Sequence, residues 1–526
     1  MDLSRPKSWE SEKLGDLALL TLGGDWGKDP EFEAADYSSA LCIRGAEFRN
    51  WETDRGCTAS LRKIKNSSLK SRILQEGDIL VEISGGGPDQ PVGRTVLIDR
   101  STLSHFPGLP KICTNFLRLF RPCAGIAPGF LNLYLQFFYK SGEIRDYQAG
   151  SNNLRNLRFN DYLGLDIPLP PQPEQHRIVA KIEELFSELD KGIENLKTAQ
   201  AQLKVYRQAL LKHAFEGKLT TQWRADNPDK LEPADALLKR IQQERTHRYQ
   251  QQLADWEAGG KQGSKPKAPK ALAPLTAEEL AEFPELPEGW AWLRVCNLAD
   301  KVTDGEHITP KRTEAGFYLL SARNIQNGHL DLTDVDYVST EEYDRIRKRC
   351  DPEEGDILIS CSGSVGRVCR VPDDINFVMV RSVAVVKLQS VKAWSKFYEY
   401  LFQSPLLQRQ IEKGKKATAQ ANLFLDPINN LKVIVCSPCE GDQLVKELES
   451  RLSEVDNLEQ IMLTSLNQAE ALRQSILKKA FSGQLVPQDP HDEPASVLLA
   501  RIQAERANAA QKSALAGRRS RKVSTK

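Results

Sequence analysis

Apolar residues recur at spacings of three, four or seven in two long stretches of the chain, which predicts two amphipathic helices. The first stretch follows a proline-rich segment and covers about 174–214, so its helix would be roughly 60 Å long at ~1.5 Å per residue. Because such an apolar stripe is unstable in water, we expect the two stripes to bury each other as a coiled coil. The predicted seam consists of Ile178, Ile182, Leu185, Leu189, Ile193, Leu196, Leu444, Leu448, Val455 and Met462.

The second stretch repeats the first at a constant offset. Residues 165–190 (LDIPLPPQPEQHRIVAKIEELFSELD) align without a gap with residues 431–456, which lie 266 positions later. The same register then matches RQALLKHAFEGKL at 207–219 with RQSILKKAFSGQL at 473–485. Stacked repeat units are about 20–50 residues long. Two copies this far apart therefore indicate a duplicated domain with its helix, and they predict a pseudo-two-fold molecule.

Short motifs mark where each predicted helix ends. Gly217 and Gly483 occupy the position of a C-terminal cap. A further repeated segment follows each cap, EPADALLKRIQQER from Glu232 and EPASVLLARIQAER from Glu493. The duplicated unit therefore extends beyond the long helix.

Each long helix is preceded by a region rich in glycine, proline, β-branched and aromatic residues with short apolar runs, which predicts a mixed domain of short strands and a few helices. Trp9 and Trp290 lie near the start of these two domains. The predicted fold class is α+β, with a first globular domain at 1–167, a helical region at 168–250, a linker at 251–285, a second globular domain at 286–434, a helical region at 435–510 and a basic disordered tail at 511–526.

Composition restricts the possible environment and ligands. A chain of 526 residues with 40% hydrophobic and 27% charged residues is typical of a water-soluble protein of several domains. We see neither a secretion signal nor a membrane span, and we expect a cytoplasmic protein. The ten cysteines follow no disulfide framework, and Cys436 and Cys439 have no second pair to complete a zinc site. A net charge of +1 means that any nucleic-acid surface must be local or supplemented by a partner.

Three places in the globular domains carry residue types suited to nucleic acid. A repeated EGDIL strand at 76–80 and 354–358 leads to a serine-glycine loop and then to VGR, which ends at Arg94 and Arg367. Such a loop can bring backbone N–H groups and a guanidinium close to phosphates or base edges. The alternative is a hairpin turn with a surface arginine.

The second place is the loop at 150–156 and its counterpart at 416–422, and the third is a strand end that carries an arginine in each domain. Amides can contact adenine and lysines can neutralise phosphate, whereas Asn156 and Asn422 themselves are better explained as caps of the next turn. The candidate DNA-binding residues are Arg44, Ser84, Gly85, Arg94, Asn152, Asn153, Arg155, Arg323, Asn324, Ser362, Ser364, Arg367, Lys415, Lys416, Thr418 and Gln420.

Motifs for catalysis are missing from the sequence. There is no GxxxxGK[ST] loop for a nucleoside triphosphate and no HExxH motif for a metal. Asp78 and Glu82 resemble a pair of nuclease carboxylates, but the second copy has Ser360 at the position of Glu82 and neither copy has a lysine two residues further on. We therefore expect neither catalysis nor a bound metal in this chain.

Two dissimilar domains, each followed by an IPLPPQPEQHRIV-type helix start and an AFEGKL or AFSGQL helix end, resemble the specificity subunit of a type I restriction-modification system. The segment AFEGKLTTQWRADNP at 214–228 is especially similar to that family, whereas CSPCEGDQ at 436–443 departs from its usual proline-rich helix start. The resemblance covers nearly the whole chain and implies two target-recognition domains separated by a pair of antiparallel spacer helices.

The resemblance also implies the function and the partners. Each globular domain would bind one half of an asymmetric bipartite site in double-stranded DNA. The helices would bind two methyltransferase subunits, and restriction subunits with motor and nuclease activity would join that core. S-adenosylmethionine, ATP and Mg²⁺ are then expected on the partner subunits and no cofactor on this chain. The alternative function is a coiled-coil scaffold whose two domains bind proteins and not DNA.

Overall fold

The computed structural model describes residues 6–87, 90–150, 155–262, 265–269, 272–415 and 421–523. Contacts divide the chain into two compact units, Met1–Leu196 with Thr464–Lys526, and Lys197–Leu463. This division cuts both long helices, so each unit contains the beginning of one helix and the end of the other. The domain boundaries at the linker and in the helical regions stay predictions.

Short strands dominate the globular part of the first unit. Its strands are β1 (Glu10–Lys13), β2 (Ala18–Gly23), β3 (Tyr37–Ile43), β4 (Ser60–Lys65), β5 (Ile79–Glu82), β6 (Ser84–Gly85), β7 (Thr95–Leu97), β8 (Lys111–Cys113), β9 (Leu117–Pro122), β10 (Gln148–Ala149), β11 (Arg155–Leu157) and β12 (Asp166–Leu169). Its α-helices are α1 (Trp51–Asp54), α2 (Asn66–Arg72), α3 (Arg100–Ser104), α4 (Pro128–Ser141), α5 (Phe159–Leu163) and the first part of α6 (Gln172–Phe215), with 3-10 turns at Leu14–Leu17, Glu47–Asn50 and Glu143–Tyr147.

The first unit is organised around an antiparallel sheet in the order β2-β9-β5-β7. A second sheet has the order β4-β3-β8, with β3 and β8 parallel, and β1 pairs with β12 next to the start of α6. All four residues of β5 are buried, which agrees with the apolar run of the EGDIL motif. Helix α4 contributes Phe130 and Phe137 to the same core as Phe481 near the end of the second long helix.

The second unit has its own set of elements. Its helices are the rest of α6, α7 (Thr221–Asp226), α8 (Ala234–Ala258), α9 (Ala277–Leu280), α10 (Val295–Leu298), α11 (Thr340–Arg347), α12 (Ser395–Gln403), α13 (Pro405–Gly414), α14 (Leu425–Asn429) and the first part of α15 (Pro438–Phe481), with 3-10 turns at Pro228–Lys230, Ala322–Asn324 and Gln389–Trp394. Its strands are β13 (Ala291–Arg294), β14 (Lys301–Asp304), β15 (Arg312–Thr313), β16 (Phe317–Leu320), β17 (Ile325–Gln326), β18 (His329–Leu330), β19 (Asp336–Val338), β20 (Ile357–Ser360), β21 (Val368–Arg370), β22 (Phe377–Met379), β23 (Val383–Lys387) and β24 (Lys432–Val435).

The sheet order of the second unit reproduces that of the first. Strands β14-β23-β20-β21 form an antiparallel sheet with the EGDIL strand β20 in an inner position, and β13 pairs with β24 next to the start of α15. A second sheet, β15-β19-β16-β22, contains one parallel pair, β16 with β22. The α+β fold class predicted from the sequence is confirmed.

Helices α6 and α15 each contain 44 residues, which corresponds to about 66 Å. Both end in the same cap. Gly217 and Gly483 have left-handed φ values of 71° and 72°, and the N–H of each donates to the carbonyl three residues earlier, over 3.0 and 3.2 Å. A Cβ atom would lie 2.3 Å from Cγ of Pro287 at the first glycine and 2.3 Å from Cγ of Pro6 at the second. Glycine is therefore required by conformation and by space.

Within each unit the two helical segments run antiparallel. In the first unit, Ile178 and Ile182 share a core with Ile476, and Asp190 pairs with Arg473. The same arrangement recurs in the second unit, where Arg207 forms an ion pair with Asp456. The residues of the two helices that share its core are Leu210, Ala214, Phe215, Leu444, Leu448 and Leu452. Each residue of one ion pair lies 266 positions from its counterpart in the other, so the duplicated sequence produces duplicated contacts.

The predicted seam is buried towards the helix ends and half-exposed in the middle. Ile178, Ile182, Leu444, Leu448 and Val455 are buried. The half-buried positions are Leu185, Leu189, Ile193, Leu196 and Met462. Two packed helices cover only one side of each apolar residue, whereas near the ends the globular domain of the same unit adds a further layer.

A tryptophan and a buried glutamate connect each globular domain to its helix. Trp9 Nε1 donates to Glu174 Oε1 over 3.1 Å in the first unit, and Trp290 Nε1 donates to Glu440 Oε2 over 2.8 Å in the second. In the second unit Arg224 also donates to Glu440, over 2.5 Å. The replacement of the usual proline-rich segment by CSPCEGDQ therefore leaves the start of the second helix in place.

The segment after each cap lies against its own globular domain. Leu237 and Ile241 of α8 are buried in the second unit, and Leu498 and Ile502 of α16 (Ala495–Val523) are buried in the first. The helical backbone of α16 extends to Val523, in keeping with the helix propensity of alanine, lysine and arginine. The tail predicted for 511–526 stays a prediction.

Candidate nucleic-acid interface

The two candidate loops of each globular domain are joined by strand pairing. In the first domain, Ser84 pairs with Asn156 and Gly85 with Arg155 in the β6-β11 ladder. In the second domain an isolated antiparallel bridge joins Ser362 to Asn422. The serine-glycine loop and the end of the asparagine-containing loop, far apart in the sequence, are therefore adjacent in each domain.

This pairing corrects the prediction that Asn156 and Asn422 cap the following turn. Helix α5 is preceded by Arg158 and helix α14 by Phe424, and neither N-terminus has a side-chain cap. The two asparagines lie in extended segments that pair with a serine in the adjacent loop. A pairing between distant segments depends on the fold and has no local sequence signal.

A cavity of about 890 Å³ opens at this surface in the first domain. It brings together four residues that were predicted from the sequence, Arg44, Ser84, Gly85 and Arg94. Further lining residues that were not predicted include Arg49, Asn115 and the exposed aromatic residues Trp26 and Phe116.

Arg94 is held by a buried carboxylate. Its Nε and Nη2 atoms donate to the two oxygens of Glu82 over 2.8 and 2.6 Å, and Nη2 also donates to the Gly45 carbonyl over 2.9 Å. Only 3% of the Glu82 side chain is exposed. Burial lowers the pKa of Arg94, but the hydrogen bonds and charge of Glu82 outweigh it and the pKa is raised. Arg94 therefore remains charged and engaged with the protein.

Arg44 has a similar partner. Its Nε donates to Glu47 Oε1 over 3.0 Å, and its backbone N–H donates to Glu47 Oε2 over 2.6 Å. The Glu47 side chain is almost fully buried. The carboxylate therefore fixes both the backbone and the guanidinium of Arg44 at the cavity edge.

Arg367 in the second domain has a different environment. Ser360 occupies the position of Glu82, and its hydroxyl accepts from the Arg367 backbone N–H over 2.9 Å and donates to the Ser364 carbonyl over 2.6 Å. Within the described parts of the chain, no side chain forms an ion pair with the half-buried Arg367. Ser362 and Ser364 lie in the same turn and are at least partly exposed. The duplicated VGR arginine is thus available to a ligand in this domain.

Arg323 and Asn324 lie together in a 3-10 turn but differ in exposure. The Arg323 guanidinium pairs with Asp334 over 3.3 Å and with Asp336 over 3.1 Å at the surface. Asn324 is 1% exposed, and its amide donates to the carbonyls of Asp331 and Asp334 over 3.0 Å each. This geometry favours a positioning role for Asn324 over a direct contact with a base.

Of the remaining candidate residues, the structure describes only Arg155 and Lys415. Arg155 lies in β11 and is half-buried, and Lys415 follows α13 and pairs with Glu412. Asn152, Asn153, Lys416, Thr418 and Gln420 lie outside the described residues. All sixteen assignments to DNA contact stay predictions.

The aspartates of the two EGDIL motifs, Asp78 and Asp356, pair with basic side chains of their own domains. Asp78 accepts from Arg121 on the adjacent strand, over 2.7 and 2.8 Å. At the equivalent position in the second domain, Asp356 lies 3.5 Å from Lys387, and burial raises the pKa of Asp356. The described residues contain no cluster of His, Cys, Asp or Glu suited to a metal ion.

Cys436 and Cys439 are both free thiols, the former buried and the latter exposed. None of the helices assigned over the described ranges is both long and apolar enough to span a membrane.

Comparison with known proteins identifies this arrangement of domains and helices. Residues 6–198 match the family described as type I restriction modification DNA specificity domain. The specificity subunit of the type I restriction enzyme EcoBI of Escherichia coli is 26% identical over 358 residues, which are 65% of this chain and 64% of that protein. The EcoKI specificity subunit of Escherichia coli strain K12 is 23% identical over 520 residues, 95% of this chain and 96% of the relative.

A solved structure described as the structural basis of complex assembly and conformational transition of the type I R-M system has the same fold. It superposes with a TM-score of 0.59 at 17% sequence identity and covers 92% of this chain and 100% of its own. These similarities confirm the resemblance to type I restriction-modification specificity subunits that the sequence predicts. The absence of catalysis predicted for this chain agrees with the family, since specificity subunits are the noncatalytic components of these systems.

Proposed function

We propose that this chain is the DNA sequence-recognition subunit of a type I restriction-modification complex. Each globular domain contacts one half of an asymmetric bipartite site in double-stranded DNA. The observation that supports this most directly is that both domains place a serine-glycine loop beside an asparagine-containing loop, by the pairing of Ser84 with Asn156 and of Ser362 with Asn422. The side chains that these loops present differ between the domains, as two different half-sites require.

The helix pair acts as a spacer between the two half-sites. Helices of about 66 Å can separate two DNA-binding domains by one turn of B-DNA, about 34 Å, or somewhat more. The duplicated start and end of each helix are used by two methyltransferase subunits, because only the duplicated segments present the same surface twice. Restriction subunits then join this core.

Catalysis belongs to the partner subunits. The methyltransferase subunits bind S-adenosylmethionine and methylate adenine, and the restriction subunits use ATP and Mg²⁺. This division agrees with the net charge of +1 of the chain, because the partners then provide the positive charge that holds the DNA backbone. The complex acts in the cytoplasm, where it meets chromosomal DNA.

The test is to coexpress the chain with its methyltransferase subunit in a host that lacks DNA modification, and to sequence the methylated adenines. We expect one new bipartite motif, with a fixed number of unspecified base pairs between its halves. Copurification of the two proteins and binding of S-adenosylmethionine to the complex serve as controls. If the complex forms and binds S-adenosylmethionine but no bipartite motif appears, the chain is a protein scaffold and the proposal is wrong.

A further inference from the structure

The cavity of the first domain contains three arginines, and their charges are not equally compensated. Arg44 is paired with Glu47 and Arg94 with Glu82, and both carboxylates are nearly inaccessible to solvent. Arg49 also lines the cavity and is exposed. Among the residues that the structure describes, none forms a hydrogen bond or ion pair with the Arg49 guanidinium. The cavity therefore has one arginine free to bind a ligand.

The backbone that carries Arg49 is held in place from both sides. Arg49 lies in the 3-10 turn Glu47–Asn50. The Glu47 carboxylate accepts from the Arg44 backbone N–H at the start of this segment, over 2.6 Å, and Arg94 donates to the Gly45 carbonyl over 2.9 Å. Because these contacts fix the loop before any ligand arrives, binding by Arg49 does not require the loop to become ordered.

The chemistry of the remaining wall suits the edge of a base pair. Asn115 is exposed at the cavity, and the side chains of Trp26 and Phe116 are 37% and 49% exposed. Thr114 also lines the cavity, and its buried hydroxyl has no hydrogen-bond partner within the described chain. Guanidinium groups pair with guanine, amides with adenine, and apolar groups with the thymine methyl.

The electrostatics favour a base over a phosphate. The two buried carboxylates offset two of the three guanidinium charges, so the cavity is not a strongly positive phosphate site. A single free guanidinium beside an amide and aromatic faces has the composition of a site that reads base edges.

We infer that this cavity is where the first domain reads DNA bases, that Arg49 contacts a base, and that Arg94 is a positioning residue held by Glu82. The inference rests on the proposed function and adds to it the residue that determines specificity. In this domain the arginine that contacts a base is therefore Arg49 and not Arg94, which the sequence had suggested.

The experiment uses the complex of the full chain with its methyltransferase subunit and measures DNA binding by fluorescence anisotropy. Three duplexes are compared: the site identified by adenine methylation, the site with the first domain's half scrambled, and the site with the other half scrambled. The domain responsible for each half is assigned with the Arg367→Ala complex. Arg49→Ala is the test variant, and Arg100→Ala is a control that removes the same charge from a side chain that is 88% exposed and does not line the cavity.

We expect Arg49→Ala to weaken binding to the intact site by about 5- to 100-fold, as the loss of a bidentate base contact would. When the half-site of the first domain is scrambled, the base that Arg49 would contact is already missing. On that duplex the same variant should therefore change the affinity by less than about twofold. Arg100→Ala should leave all three affinities nearly unchanged.

Two results would overturn the inference. An equal loss on all three duplexes, with a salt dependence reduced by about one counterion, would make Arg49 a phosphate contact. No loss on any duplex would remove Arg49 from the interface. A wild-type complex that fails to distinguish the intact from the scrambled duplexes contradicts the proposed function itself, and that result is recognised before any variant is measured.

Arg94→Lys tests the positioning role. A lysine keeps the charge but cannot contact both Glu82 oxygens and the Gly45 carbonyl at once. We expect this variant to lower the melting temperature as well as the affinity for the intact site, whereas Arg49→Ala should lower the affinity alone. An Arg94→Lys complex with unchanged stability and affinity would exclude a positioning role.

Discussion

The VGR arginines of the two globular domains occupy equivalent sequence positions but have different partners. Arg94 is bound on two sides to the buried carboxylate of Glu82, whereas Arg367 lies beside Ser360 and has no ion pair among the described residues. One difference in the preceding strand, glutamate in the first copy and serine in the second, accounts for this. A repeated motif can therefore hold its arginine in a buried ion pair in one copy and leave it accessible in the other.

The scaffold around these arginines differs much less. Each unit has a tryptophan bonded to a buried glutamate at the helix start, and each helix ends in a glycine packed against a proline. These features lie in or beside the parts of the sequence that repeat without a gap. Divergence is thus concentrated at the loops, while the contacts that orient each domain on its helix are retained.

The largest effect is expected from Glu440→Ala. This glutamate accepts from Trp290, Thr220 and Arg224, whereas Glu174 accepts from Trp9 alone among the hydrogen bonds of the described chain. Loss of a buried partner of a charged group should cost about 3–5 kcal/mol at Glu440, and Glu174→Ala about 1–2 kcal/mol. Chemical denaturation, monitored by hydrogen exchange in each unit, measures the loss of stability in both variants. Equal losses would show that the two helix starts are energetically equivalent.

The second comparison is between Arg94→Ala and Arg367→Ala. Removing Arg94 leaves the carboxylate of Glu82 buried without its partner, and we expect a loss of about 2–3 kcal/mol in the stability of the first unit. Arg367→Ala should leave stability within about 0.5 kcal/mol and weaken binding to one half-site by about 1–3 kcal/mol. Thermal unfolding and binding to half-scrambled DNA separate the two effects. A stability loss for Arg367→Ala as large as that for Arg94→Ala would remove the proposed distinction.

Gly217→Ala and Gly483→Ala test the equivalence of the two helix ends. Each alanine would need a left-handed backbone and would place Cβ 2.3 Å from a proline Cγ. We expect each to lower the stability of its own unit by about 1–2 kcal/mol. Melting curves of the single variants give the comparison, and Gly192→Ala, at an exposed position in α6 with open space around it, is the control that should be neutral or stabilising. A neutral result at either cap would mean that the proline contact is not maintained in solution.

The smallest effect concerns pH. Burial raises the pKa of Glu174 above its ordinary value of 4.5 despite the opposing hydrogen bond from Trp9. The folded state therefore binds this proton more tightly than the unfolded state does. The stability that this group contributes is complete below pH 4.5 and is lost as the pH rises through the folded pKa. Glu174→Gln has no such proton to lose, so the stability of this variant relative to the wild type should increase as the pH rises from 4.5 through the folded pKa. A constant difference over that range would contradict the raised pKa.

The helices and their ends could be predicted from the sequence because their signals are local. Apolar spacing, prolines at the helix start and a terminal glycine act within a few turns, and the predicted range 174–214 differs little from Gln172–Phe215. The buried part of the seam follows from the same spacing, whereas the half-buried positions around Leu189 depend on how far each globular domain extends along the helix.

For the candidate site, the sequence predicts which types of residue are present but not how they are arranged. Both loops of each domain were identifiable from their composition, but the pairing of Ser84 with Asn156 was not, because strand pairing between distant segments has no local signal. Arg94 and Arg367 were predicted to act alike, although the change from Glu82 to Ser360 indicated that their surroundings differ. Arg49 follows the strand end that carries Arg44 and aligns with Gln326 in the second copy, so comparison of the two copies did not single it out.

The discontinuous composition of the first unit has a consequence for synthesis on the ribosome. Residues up to Leu196 emerge first, but the apolar face of Ile178 and Ile182 is completed by residues after Thr464. At about 5–20 residues per second, the intervening segment takes on the order of 13–50 s to make. The second unit is complete once Leu463 has emerged, whereas the apolar face of the first helix stays uncovered until the last residues of its unit are made.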